Sequence, residues 1–137
     1  WAIRRALHPD PLGRLTRAAE IGGARGVIRE YRTIKPWYPP VTLNEFLLNR
    51  VGYGLLQSGK VDDAIAVFRL NVEEHATAAN THDSLGEAYA TRGNWALAIR
   101  SYERSLQLDR RNRNAAQRLE QLRKCMGGAV GDCPKVN

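Results

Sequence analysis

The side chains in this 137-residue sequence that could do chemistry are adjacent acids, scattered histidines and serines, one cysteine pair and a row of arginines. Asp62 and Asp63 are neighbours, but acid–base catalysis needs carboxylates in a cleft that drives their pKa values apart. Acids at the start of a helix instead complement its positive end, and that is the reading adopted here. His8, His75 and His82 have no partner ligand at the i+3 or i+4 spacing of a helical metal site. Ser58, Ser84, Ser101 and Ser105 lack the glycine elbow that would expose a nucleophile. Gly52-x-Gly54 falls within a helical pattern rather than between a strand and a helix, so it is no phosphate loop. Cys125 and Cys133 could close a short loop as a disulfide or stay free, and with no histidine nearby they imply no metal. No catalytic residue, metal or cofactor is expected, and this chain is not expected to be an enzyme, whatever a longer parent might do.

Surfaces are what remain. Arg25, Arg29 and Arg32 stand at i, i+4 and i+7, a basic stripe about two turns long. Its plain reading is the solvated side of an edge helix, with Glu30 weakening the field. The net charge is +7, and residues 1–40 hold eight basic side chains against three acids. Such a balance suits an acidic partner, nucleic acid or an anionic surface, and it also serves solubility. No apolar run is long enough to cross a bilayer, and no signal-peptide pattern is visible. A soluble protein is expected, cytoplasmic or periplasmic, and the start at Trp1 rather than Met suggests a fragment or a processed chain.

Helical periodicity must position these residues. Asp10-Pro11 reads as a helix start, followed by Leu12, Leu15, Ala18, Ala19 and Ile21, with Gly22-Gly23 as the stop. A second helix, about 24–35, carries Val27, Ile28, Tyr31 and Ile34. Trp37-Tyr38-Pro39-Pro40 then breaks the helix, and its two aromatic rings are expected to fold back on the core. Thr42-Leu43-Asn44-Glu45 reads as a capping box, Thr42 capping and Glu45 reaching back. The next helix, to about Ser58, carries Leu48, Val51, Gly52, Leu55 and Leu56, and another spans about 61–75.

The densest pattern lies at 79–112. Leu85-Gly86-x-x-Tyr89, Gly93, Ala98-Ile99-x-x-Tyr102 and Leu106 describe two helices joined by a tight turn. Gly86 and Ala98 are small where the axes must cross closely. Asn94 is a helix cap. A shift of 34 residues puts Val51-Gly52 on Leu85-Gly86, Leu55 on Tyr89, Gly59 on Gly93, Ala64-Ile65 on Ala98-Ile99 and Phe68 on Tyr102. This spacing resembles the tetratricopeptide repeat. The chain departs from the family at its early tryptophan, here Leu48 and His82, and at its closing proline, here Ala76 and Arg110.

The resemblance implies an all-α fold: a right-handed superhelix of antiparallel helix pairs, about three pairs plus a C-terminal capping helix. The expected divisions are an N-terminal extension at 1–9, a degenerate pair with a Pro-rich linker at 10–41, and repeats at 45–78 and 79–112. A capping helix at 113–125 and a flexible tail at 126–137 complete the chain. Residues 20–124 also look like repeat modules that lie C-terminal to bacterial serine hydrolases of the beta-lactamase and esterase kinds. That likeness rests on Gly54-Leu55-Leu56-x-x-Gly59, Ala64-Ile65-x-x-Phe68, Asn71-Val72 and the run from Ala79 to Tyr89.

Carried onto this sequence, the family's groove positions are Asn49, Arg50, Tyr53 and Gln57, then Asn80, Asp83, Ser84 and Glu87, then Gln117, Arg118 and Gln121. Tyr53 is the expected anchor. Where chaperone-binding members clamp a C-terminal carboxylate with Lys and Asn, this chain has Asn49 and Tyr53, and only Arg118 keeps a clamp-like cation. Tight capture of an acidic C-terminal tail is not expected. Three functions stand: a protein or peptide interaction module, which is favoured; an accessory domain of a larger serine hydrolase; and binding of nucleic acid or an anionic surface, which is disfavoured. A homo-oligomer through an uncovered end is compatible with all three.

Overall fold

The computed structural model describes residues 10–128 and Cys133. All regular structure among them is helical: α1 (Pro11–Ile34), a 3-10 turn η1 (Lys35–Trp37), α2 (Glu45–Gln57), α3 (Val61–Glu74), α4 (Ala79–Arg92), α5 (Trp95–Leu108) and α6 (Arg113–Met126). The chain forms two compact units, one through Leu70 and one from Asn71, with the boundary inside α3. The predicted extension at 1–9 and most of the predicted tail lie outside the described residues.

In the first unit, Asp10 caps α1, its Oδ2 accepting from the Gly13 N–H at 3.0 Å, with Pro11 at the first helical position. The expected stop at Gly22-Gly23 is a break inside α1: Gly23 has φ 59° and ψ −148°, a backbone state that is open to glycine and strained for any other residue. The break leaves the Ala24 N–H without a helical acceptor, and Asp63 supplies one, its Oδ1 accepting at 3.0 Å. Asp63 therefore has a long-range capping role besides its place in the first turn of α3. Leu15, Ala19, Val27, Tyr31 and Ile34 are buried along the two limbs. Ile21 departs from the expected apolar series, being 77% exposed. At 100° per residue it stands roughly 200° around the helix from Ala19, on the outer face.

Trp37, which ends η1, and Tyr38 after it are half-buried, and the Arg14 guanidinium lies 4.9 Å from the centre of the Trp37 ring. Burial raises the Tyr38 pKa, opposed by Arg14 and assisted by Asp10. The capping box at Thr42 does not form. Residues 39–43 close a turn in which the Thr42 and Leu43 N–H groups donate to the Pro39 carbonyl. Helix α2 starts two residues later than a Thr42 cap requires, and Asn44 caps it by accepting from the Phe46 N–H at 3.0 Å.

Helices α2 and α3 meet at a glycine. A Cβ on Gly52 would lie 2.3 Å from Cε1 of Phe68, and Phe68 and Ala64 are both fully buried. The absent side chain at 52 is therefore what admits the Phe68 ring.

The second unit repeats the device. A Cβ on Gly86 would meet the Tyr102 ring at 3.1 Å, and Ala98 has no exposed surface. Gly93 closes α4 with φ 86°, and the Asn94 N–H donates back to Tyr89 at 2.9 Å. Gly59 ends α2 the same way, with φ 77° and a bond from the Lys60 N–H to Leu55 at 2.9 Å. Asn94 caps α5 through the Leu97 N–H. The core of this unit joins Ala98 and Tyr102 to Ala115, Leu119 and Leu122, with Tyr89, Trp95, Ile99 and Leu106 packed around it. Helix α6 thus covers the apolar side that α5 leaves open, as a terminal helix of stacked repeats should.

Candidate functional site

The side chains of the second unit that face away from this core are placed by the turn between α5 and α6. Asn112 caps α6, its Oδ1 accepting from the Ala115 N–H at 3.1 Å. Its Nδ2 donates to Asp83 Oδ2 on α4 at 2.7 Å and to Ser105 Oγ on α5 at 3.0 Å. Ser105 in turn donates to the Ala79 carbonyl at 3.0 Å. One amide therefore ties three helices together where α6 begins, which fixes the angle at which α6 faces α4.

Between α4 and α6 lies a depression of about 440 Å³, lined by Glu87, Ala90, Thr91, Tyr102, Arg118, Gln121, Leu122 and Cys133. Ala90, Tyr102 and Leu122 make it apolar at the base, while Glu87 and Gln121 are half-buried and Arg118 is exposed. The walls thus offer a carboxylate from α4 and a guanidinium and an amide from α6. A surface of this kind can hold an extended peptide or one face of a helix, with the apolar base giving contact area and the polar side chains giving orientation.

The expected groove residues divide accordingly. Glu87, Arg118 and Gln121 are brought together in the depression. Asp83 is drawn into the clamp with Asn112, while its Oδ1 is buried with no hydrogen-bond partner among the described residues. Ser84 departs from the expectation: it is 3% exposed and donates to the Asn80 carbonyl at 3.0 Å, so it faces the helix packing. Asn80 is half-buried and Gln117 is exposed, and neither lines the depression. In the first unit Asn49, Tyr53 and Gln57 follow one another at i, i+4 and i+8 on α2, with Arg50 beside them. Arg50 and Gln57 are exposed, and Asn49 is half-buried. Tyr53, the expected anchor, is also half-buried and sets its ring edge-on to Phe68, 5.2 Å between centres and 69° between planes. Packing on Phe68 is thus part of its role.

Residues 79–112, which span α4, α5 and the turns that bound them, match the family described as Tetratricopeptide repeat. This stretch is a tetratricopeptide repeat. Such repeats generally mediate protein–protein interaction and are typically non-catalytic. No curated protein matches the chain.

Other expectations meet the structure here. Cys125 and Cys133 are joined in a disulfide with Cα atoms 5.7 Å apart, which settles the alternative left open by their spacing. The bond also places Cys133 in the lining of the depression between α4 and α6, a position that nothing in the sequence signals. His82, at the family's tryptophan position, is buried, and its Nε2 lies 2.9 Å from the Ala76 carbonyl oxygen. Among the described residues no group of three or more His, Cys, Asp or Glu could hold a metal ion, and no helix is long and apolar enough to cross a membrane. Sequence reasoning missed Asn112 and Asp63. Asn112 was legible as a cap, since it stands three residues before Ala115 at the head of an apolar period. Its bonds to Asp83 and Ser105 were not, because they join residues 29 and 7 positions away.

Proposed function

We propose that the second unit is a non-catalytic binding module that holds a peptide or a partner helix in the depression between α4 and α6. The observation that carries this reading is the convergence of Glu87, from the tetratricopeptide repeat, with Arg118 and Gln121, from the helix that follows it, over an apolar base. Opposite charges on facing helices suit a ligand that carries both signs or pairs through its backbone. They do not suit a run of acids, because Glu87 repels what Arg118 attracts.

The reading is tested by selecting binders to the immobilised chain from a displayed random-peptide library. Isothermal titration of selected peptides against the wild type and an Arg118→Ala/Gln121→Ala variant then locates the site. Peptides of micromolar affinity that bind the variant about tenfold more weakly are expected, about 1.4 kcal/mol. Failure to enrich any peptide, or equal binding to the variant, would overturn it. A peptide ending in consecutive acidic residues is expected to bind more weakly than micromolar, and the same titration checks this.

A further inference from the structure

The exposed row Arg25, Arg29 and Arg32 lies on the second limb of α1, in the first unit. Its plain reading from sequence depends on Glu30, the acid that interrupts it. The structure removes that acid from the row: Glu30 is half-buried and paired with Arg14, accepting from its guanidinium. Asp63, which approaches the start of the limb next to Arg25, is engaged by the Ala24 N–H. None of the three arginines enters an ion pair or a side-chain hydrogen bond among the described residues. At 1.5 Å per residue they spread three free guanidinium groups over about 10 Å of one helix face.

We infer that this face binds the phosphate backbone of duplex nucleic acid, without reading its sequence. The arginine fork pairs with phosphate in two parallel hydrogen bonds. The surroundings decide between possible polyanions. A protein partner draws its affinity from buried aromatic or aliphatic anchors, but on this limb Val27, Tyr31 and Ile34 are buried and Ile28 is half-buried. Single strands are held by bases stacking on exposed aromatic rings; on this limb Tyr31 is buried, Trp37 beyond it is half-buried with Arg14 over its ring, and the exposed Phe46 belongs to α2. Charge is what the face has left to offer, and a phosphate backbone asks for little else.

The test is fluorescence anisotropy of a labelled 20-base-pair DNA duplex titrated with the full chain at several salt concentrations. Three phosphate contacts contribute a slope of about −2.7 in log K against log salt, so this face accounts for about a fortyfold loss of affinity between 50 and 200 mM. The variant Arg25→Gln/Arg29→Gln/Arg32→Gln is expected to lose that part of the slope, and each single variant about 0.9 of it. Arg100→Gln/Arg111→Gln/Arg113→Gln removes the same charge from the second unit and is expected to leave most of the slope. Circular dichroism confirms that each variant is folded. Absence of binding by the wild type at the lowest salt, or an equal loss in both triple variants, would overturn the inference. Tighter binding of an acidic helical peptide than of the duplex at the same salt would also overturn it, by assigning the face to a protein.

Discussion

The helix pairs at 45–78 and 79–112 carry the same device with different tolerances. In each, a glycine on the first helix faces an aromatic ring on the second, Gly52 against Phe68 and Gly86 against Tyr102, with Gly86 and Tyr102 each 34 residues after its counterpart. A methyl at position 52 would sit 2.3 Å from the ring, while one at 86 would sit at 3.1 Å. The glycine turns are alike, with φ of 77° at Gly59 and 86° at Gly93. The polar closure differs: Asn112 ties α4, α5 and α6 together, while the position 34 residues earlier is Ala78, which has no amide to do so. Backbone register therefore repeats where the chain must approach itself. Side-chain chemistry does not repeat at the residue that ends each pair.

The largest effect that would break the comparison is removal of α6. A chain ending at Asn112 uncovers Ala98 and Tyr102, and the second unit is expected to lose its cooperative thermal transition and to aggregate in size-exclusion chromatography. A monomeric truncation of undiminished helicity would show that α5 needs no cover. Next comes Asn112→Ala, which removes a helix cap and leaves Asp83 with neither oxygen bonded to it. A loss of about 2 to 4 kcal/mol in urea denaturation is expected.

Gly52→Ala and Gly86→Ala sharpen the steric half of the comparison. The fully buried Phe68 ring cannot yield easily, so the first substitution is expected to cost about 1 to 3 kcal/mol through overpacking. At 86 the ring needs to move only a few tenths of an ångström, and the gain of about 1 kcal/mol from placing alanine in a helix offsets that strain. The same denaturation experiment should find the second variant close to the wild type. Equal losses would mean that the two crossings are equally tight.

The smallest effect is a gain. Ala78 precedes α4 in an extended conformation with no side-chain cap. Ala78→Asn should supply the bond that Asn112 makes at α6 and add about 0.5 to 1 kcal/mol of stability, read as a raised midpoint in urea.

Helices, turns and the repeat register were legible because each is local or periodic. Gly22-Gly23, Gly59 and Gly93 mark breaks through the one residue that tolerates them, and Leu48, Val51 and Leu55 declare a buried face by their spacing. The candidate site was legible only in part. Glu87, Arg118 and Gln121 follow from the resemblance, as the family's groove positions carried onto this sequence, but Ser84, one position from Asp83, turns inward, and a shift of one residue moves a side chain by roughly 100°. Thr42 had the right neighbours for a capping box and lost to a turn that carried the helix start on to Asn44. A four-residue motif cannot report where the preceding prolines deliver the chain.

By itself the sequence determined where the backbone would be helical, where glycine would let it turn, and which small residues would permit close crossings, because those outcomes depend on each residue and its near neighbours. Tertiary structure alone decided which charges stay free. Glu30 is spent on Arg14, Asp63 on the Ala24 N–H and Asp83 on Asn112, and the disulfide carries Cys133 to the depression between α4 and α6. An ion or a polar group finds its partner by distance in space, which for these pairs runs from 16 to 39 residues along the chain for the three acids. No periodicity encodes such a distance.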